Sequence, residues 1–304
     1  MPSLTSHHLT AQRRRTMKTA IIGTGLMGSA FAEALLRAGH DVTVYNRSAE
    51  KTVPLAALGA TPVATAAAAI HAADAVIFVL ADGASLETML ASDDARAALA
   101  GKRLLNASTT SADEIEKLAA IVTAHRGALA EASIMVGPDQ LRDGSSFFIL
   151  GARDEDQAFW TDLLGNIGGQ VQVAGGVGDA SRAEIPILIA SVFGNVAASY
   201  AAAMTMRMGL PQDMSRQLIE AALPASAHML DNLFARDYDT VMASVDSFTT
   251  VARTAADAAR TLDMDASVFD AMGDLYTRAA ANGYAQKDGT AIAEILSEPI
   301  QGAR

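Results

Sequence analysis

From Lys18 onward the chain alternates short, continuously apolar runs with stretches in which apolar positions recur every three or four residues. Runs at 19–23, 42–45, 76–80, 104–106 and 128–133 predict strands, and 27–38, a stretch after Ala49 and Ala-rich segments such as 112–124 predict helices. Strands that are apolar on both faces and separated by helices form a parallel sheet covered on each side. Residues 146–150 and 170–173 read as later strands of the same sheet, with a helix over 154–164 between them.

The pattern changes at Gly175-Gly176-Val177-Gly178. Beyond it, 183–208, 212–223, 226–234, 249–262, 267–281 and 289–296 all carry helical spacing, broken at Gly209-Leu210-Pro211 and Asn282-Gly283. The expected organisation is a leader over 1–16, a nucleotide-binding α/β domain over 17–177 and an all-helical domain over 178–304. The leader contains Arg13, Arg14 and Arg15 but no apolar core of signal-peptide length, and is read as disordered. Residues 185–206 carry no formal charge and approach bilayer-spanning length, yet Pro186, Ser191, Asn195 and Ser199 are spread around the faces. A long helix buried between domains or between subunits is expected there, and no membrane span.

The 304 residues are 50% apolar and 19% charged, enough for two domains with ordinary cores. With no cysteine, disulfides, Cys-ligated zinc and a thiol nucleophile are excluded. The cytoplasm is the expected compartment. A net charge of −11 would repel a phosphate backbone, so no nucleic-acid partner is expected and any anionic ligand must be held locally. His71, His125 and His228 are isolated, no histidines stand at metal-ligand spacing, and no metal is expected. A serine nucleophile elbow is missing too.

Local anion binding has an obvious candidate in Gly23-Thr24-Gly25-Leu26-Met27-Gly28, placed between an apolar strand and an amphipathic helix with Phe31, Ala34, Leu35 and Ala38 on one face. In this context Gly23 allows the tight turn, Gly25 lets the backbone approach a pyrophosphate, and Gly28 permits close contact of helix and strand; the helix N-terminus then supplies free N–H groups. The fold this implies is an N-terminal Rossmann doubly wound sheet followed by the all-helical domain, joined by the long interdomain helix. At the end of the second strand an NAD-preferring site places an acid to hold the ribose 2′-hydroxyl. Here Asn46 stands in that place, followed by Arg47 and Ser48, with Lys51 one helical turn on. No carboxylate repels a 2′-phosphate, and Arg47 can hold it by paired charge-assisted bonds. NADPH is the expected cofactor.

These features, with Val79-Leu80-Ala81-Asp82, Asn106-Ala107-Ser108-Thr109-Thr110 and the glycine-rich hinge before a long helix, resemble the β-hydroxyacid dehydrogenase superfamily from Met17 to Leu296. The resemblance implies that Leu80, Ala81, Asp82, Ser108 and Thr109 border the nicotinamide half of the cofactor, and that the long helix packs against a second subunit. Hydroxyacid dehydrogenases of this superfamily carry a lysine on the first turn of that helix, an asparagine one turn later, and a serine-glycine-glycine loop for the substrate carboxylate. In the register of this chain those positions are Glu184, Leu188, and Met135 with Val136 in the loop Ile134-Met135-Val136-Gly137-Pro138.

The replacements reverse the chemistry. A lysine donates to a carbonyl oxygen becoming an alkoxide, whereas a carboxyl group favours a substrate that is itself positive, such as a protonated imine. It can recruit and orient that cation, or supply the proton if burial raises its pKa. The apolar loop suits a hydrophobic amine precursor. In these respects the chain is similar to the imine reductases and reductive aminases of the superfamily, which usually carry Asp or Tyr at the position of Glu184.

Glu184 is accordingly the expected catalytic residue, with Tyr200 and Tyr238 as alternative acids, and Asn195 is expected to make a helix–helix hydrogen bond. Met135, Phe193, Met229, Phe234 and Tyr238 are the expected substrate-pocket residues, joined by Leu233, Met242 and Phe248. The resemblance implies a homodimer with the site at the subunit interface, residues from about Met229 to Phe248 coming from the partner. The expected substrates are a small hydrophobic imine, or a carbonyl compound plus an amine. An NADPH-dependent aldehyde or 2-oxoacid reductase and a non-catalytic NADPH-binding protein remain the alternatives.

Overall fold

The computed structural model describes residues 16–223 and 227–297; residues 1–15, most of the expected leader, lie outside them, as do 224–226 and 298–304. Eight strands form one sheet: β1 (Lys18–Ile22), β2 (Asp41–Tyr45), β3 (Thr61–Pro62), β4 (Ala75–Phe78), β5 (Arg103–Asn106), β6 (Ala128–Ile134), β7 (Phe147–Gly151) and β8 (Gln170–Gly175). Their spatial order is β3-β2-β1-β4-β5-β6-β7-β8. The helices of this half are α1 (Leu26–Arg37), α2 (Val53–Ala57), α3 (Ala66–Ala72), α4 (Gly83–Leu90), α5 (Asp93–Ala98), α6 (Ala112–Ala124), α7 (Pro138–Asp143) and α8 (Asp154–Asn166). The second half holds α9 (Asp179–Met208), α10 (Gln212–Ala222), α11 (Ala227–Ala235), α12 (Val245–Thr261), α13 (Ser267–Ala279) and α14 (Ile292–Ser297).

The chain is thus an α/β sheet domain followed by a helical one. The strand order reverses between β1 and β4, which opens a crevice at their carboxyl ends. The central strands are buried on both faces. Ile21, Phe31, Leu35, Leu105, Phe148 and Trp160 fill one side; Ile22, Ile70, Phe78, Leu86, Leu104 and Ile115 fill the other. Two features depart from the expected sheet. β7 runs antiparallel to β6, with Ile134 opposite Phe148, so the expected all-parallel sheet turns back once. β3 is a two-residue edge strand containing Pro62, where a missing N–H costs no ladder bond.

In α9, 30 residues long, the N-terminus starts four residues before the expected helix because its first turn is capped from across the fold, as described below. By length and hydropathy this helix could cross a membrane, but a third of its most apolar window is buried within the chain. It packs on β6, β7 and β8 and on α10, α11, α12 and α14. Val192, Val245, Phe248, Tyr276 and Ile292 form the core between α9 and its neighbours.

Candidate active site

The glycines at the end of β1 have separate reasons. Gly23 has φ +98°, and a Cβ there would lie 2.1 Å from the Val79 carbonyl oxygen, so both conformation and the approach of β4 demand glycine. At Gly28 a Cβ would lie 1.9 Å from the Gly23 carbonyl oxygen, which is the close helix–strand contact expected of it. Among the described residues, nothing lies within 4 Å of a Cβ at Gly25. That residue caps α1 without a side-chain bond, and no acid occupies the first turn of the helix. The protein itself gives no reason for glycine at position 25; a ligand seated on the exposed N–H groups does.

Neighbouring side chains brace this turn. Asn46 accepts from the Thr24 N–H at 3.1 Å and donates to the Ser48 carbonyl at 3.1 Å, so it ties the β1 turn to the β2 turn. Arg47 is exposed at the crevice and, among the described residues, has no carboxylate partner; Ser48 and Lys51 line the same wall. The Ser108 hydroxyl accepts from the Leu80 N–H at 2.8 Å, fixing the turn after β4. Asp82 is committed differently from a ligand contact: its carboxylate accepts from the Ser85 N–H at 2.9 Å and caps α4.

From these residues a cavity of about 1820 Å³ runs between the sheet domain and the helical domain. Gly23, Gly25, Leu26, Met27, Gly28, Asn46, Arg47, Ser48, Leu80, Ala81, Asp82, Ser108 and Thr109 all line it. So do the four positions where the residues of hydroxyacid dehydrogenases are replaced: Met135 and Val136 from the loop after β6, and Glu184 and Leu188 from α9. Ile134, Ile187, Met229, Met242, Phe248 and Val251 continue this apolar wall. Among the described lining residues the cations are Arg47 and Lys51, both beside the β2 turn, so no cation faces Glu184 across the apolar wall.

The start of α9 determines the state of Glu184. Glu131 of β6 accepts from the Gly178 N–H at 2.6 Å, the Ala180 N–H at 3.1 Å and the Ser181 hydroxyl, capping the helix from a strand about fifty residues earlier. Gly151 leaves it room, since a Cβ there would lie 2.6 Å from its Oε1. Two residues along β6, on the same face, the Ser133 hydroxyl donates to Glu184 Oε2 at 2.6 Å. Glu184 is 8% exposed. Burial pushes its carboxyl up to about 7; the Ser133 bond opposes this and the nearby Glu131 charge adds to it. Glu131 is raised too, by burial, against the pull of its hydrogen bonds.

Four expected pocket residues, Phe193, Leu233, Phe234 and Tyr238, lie away from this chain's cavity. Phe193 is exposed on α9 and stacks edge-on against Phe269, 6.0 Å between centroids. Phe234 packs with Leu230 and Leu233 under α9 and sits 5.7 Å from the Arg216 guanidinium. Tyr238 is buried in the helical core, where its hydroxyl donates to Glu294 at 2.7 Å. Each is apolar or aromatic at helical spacing, and the packing of the helical domain turned it away from the cavity. With Tyr238 and the exposed Tyr200 outside the cavity, neither alternative acid reaches it. Asn195 accepts from the Tyr276 hydroxyl at 2.7 Å, a helix–helix bond. Met229, Met242 and Phe248, expected from a partner subunit, line the cavity within this one chain. Ser133, Glu131 and Asp288 were not anticipated; Asp288 lines the cavity and holds the Met242 N–H at 3.0 Å.

Residues 18–176 match the NAD binding domain of 6-phosphogluconate dehydrogenase. The chain belongs to that family. Its Rossmann half is an NAD(P)-binding domain of the 6-phosphogluconate and β-hydroxyacid dehydrogenase superfamily, and the whole is an oxidoreductase of that group. The family's relatives span several chemistries. The uncharacterized oxidoreductase YfjR of Bacillus subtilis is 30% identical over 75% of this chain and 78% of its own length. A 3-hydroxyisobutyrate dehydrogenase from Salmonella typhimurium shares the fold at TM-score 0.82 and 22% identity, covering 92% of this chain and 99% of that one. A reductive aminase from Aspergillus terreus, solved with NADPH and ethyl levulinate, is 27% identical at TM-score 0.62, covering 92% of this chain and 99% of that one.

Proposed function

We propose that this protein is an NADPH-dependent imine reductase, acting on cyclic imines or on imines formed from a carbonyl compound and an amine. The observation that carries this reading is the wall around Glu184: a buried carboxyl group stands where hydroxyacid dehydrogenases place a lysine, with Met135, Val136 and Leu188 around it and no cation facing them. A substrate carboxylate would find no cationic partner there, whereas an amine nitrogen would find a charge-complementary one. The similarity to a reductive aminase supports the same reading.

When bound, NADPH supplies the hydride that reduces the C=N carbon. The residues of the chain do the rest. The exposed N–H groups at Leu26 and Met27 receive the pyrophosphate at the start of α1, and Arg47 with Ser48 holds the 2′-phosphate. Glu184, raised to about 7, carries a proton near neutral pH; it gives that proton to the imine nitrogen, and the carboxylate left behind pairs with the iminium. Reduction neutralises the cation and weakens this pairing, which favours release of the amine. Met135, Ile187 and Leu188 exclude water from the reacting carbon.

In this reading the enzyme is a cytoplasmic homodimer. Phe193, Tyr200, Met204 and Met208 leave an apolar stripe exposed along α9, which a second copy covers. Sedimentation equilibrium checks this, and a monomer at micromolar concentration removes it. The catalytic reading is tested by Glu184→Ala, which abolishes imine reduction while keeping the affinity for NADPH; an unchanged rate removes Glu184 from the reaction.

A further inference from the structure

The contact between β6 and α9 is a two-rung ladder. Strand residues 131 and 133 face the same way, helix residues 181 and 184 lie one turn apart, and each strand side chain bonds one helix side chain: Glu131 with Ser181, Ser133 with Glu184. The first rung is locked at both ends, because Glu131 also holds the Gly178 and Ala180 N–H groups. The second rung is open on one side. Ser133 lines the cavity together with Glu184, and among the described residues its hydroxyl is the only hydrogen-bond partner of the Glu184 carboxyl. Oε2 is therefore engaged and Oε1 is not.

We propose that Ser133 is the positioning residue of Glu184: it pins Oε2 and so turns Oε1 into the cavity as the atom that holds and hands over the proton. The inference rests on the catalytic reading of Glu184 given above. A carboxyl group on a flexible chain presents either oxygen in several rotamers, and fixing one oxygen removes that freedom before the substrate arrives. Ser133 further tunes the group, since its O–H bonds the charged form better than the neutral one. Glu131, the carboxylate nearest along the strand, works in the opposite direction. Other charged groups have their own partners: Arg182 pairs with Asp179 and with Glu116 of α6, and Asp288 is bonded by Met242 and Thr290. Asp246 at the start of α12 receives the Gln286 amide. β7 and β8 carry no charge.

The test compares the full-length Ser133→Ala, Ser133→Thr and Glu184→Gln proteins by two readouts. One is the pH profile of kcat/KM for NADPH oxidation with 2-methyl-1-pyrroline. The other, independent of turnover, is the titration of Glu184 followed by 13C NMR of carboxyl-labelled glutamate, assigned by its loss in Glu184→Gln. Ser133→Ala is expected to lower kcat about tenfold and to move the Glu184 titration, with the alkaline limb of the profile, up by about one pH unit, as loss of one charge-assisted hydrogen bond implies. Ser133→Thr keeps the hydroxyl and restores both. NADPH affinity stays at the wild-type value throughout. Wild-type titration and profile in Ser133→Ala, beside an inactive Glu184→Gln, overturn the positioning role alone. Full activity in Glu184→Gln overturns the catalytic reading, and this one with it.

Discussion

Glu184→Gln keeps the shape of the protonated carboxyl and removes its titration. In the folded chain the group is raised from 4.5 to about 7. The protonated form is therefore favoured by folding, so the associated stability is present below pH 4.5 and is lost as pH rises through 7. One pKa unit is worth about 1.4 kcal/mol, and with these two values about 2–3 kcal/mol of the effect falls between pH 5 and pH 8. Solvent screening takes little from this, because the residue is 8% exposed. For 304 residues the unfolding entropy is about 0.6 kcal/mol per kelvin, which converts that free energy to about 4 °C. Differential scanning calorimetry of both proteins without cofactor at pH 5 and pH 8 reads it directly. Relative to Glu184→Gln, the wild type should lose about 4 °C in Tm between the two conditions. A difference that stays constant across that range would refute the claim that burial raises the Glu184 carboxyl to about 7.

Three further outcomes follow from the cofactor end of the cavity. Arg47→Glu places a carboxylate where the proposed reading puts the 2′-phosphate, and should raise KM for NADPH by about tenfold or more while leaving KM for NADH little changed; equal effects on both remove the 2′-phosphate assignment. Gly25→Ala meets open space in the protein and should leave Tm within a degree of wild type while abolishing tight NADPH binding in a fluorescence titration. Gly28→Ala drives a methyl group into the Gly23 carbonyl and should cost about 1–3 kcal/mol in urea unfolding, with or without cofactor.

The sheet domain was legible where its signals are local. Gly23, Gly25 and Gly28 between an apolar run and an amphipathic helix describe a geometry that β1 and α1 realise, and the register on α9 brought Glu184, Leu188, Met135 and Val136 to one wall. Strand direction left no such trace: residues 147–151 are apolar whether the strand runs with or against its neighbour. The first turn of α9 was read late because its cap, Glu131, comes from a strand far away in the chain. Ser133 was invisible for the same reason, since a serine at the end of a strand signals nothing until the helix opposite it is in place. Phe193, Leu233, Phe234 and Tyr238 lie away from this chain's cavity for another reason. Helical spacing shows that a residue is apolar on one face, but which of several helices that face meets is decided by the packing of the whole domain.

In the proposed function the wall around Glu184 selects an imine over a carbonyl acid. Purified protein should oxidise NADPH when 2-methyl-1-pyrroline is added, lose that activity in Glu184→Ala, and leave NADPH untouched with succinic semialdehyde. Oxidation with the aldehyde and none with the imine would contradict the claim, and would place this chain with the hydroxyacid dehydrogenases by a route that does not need their lysine.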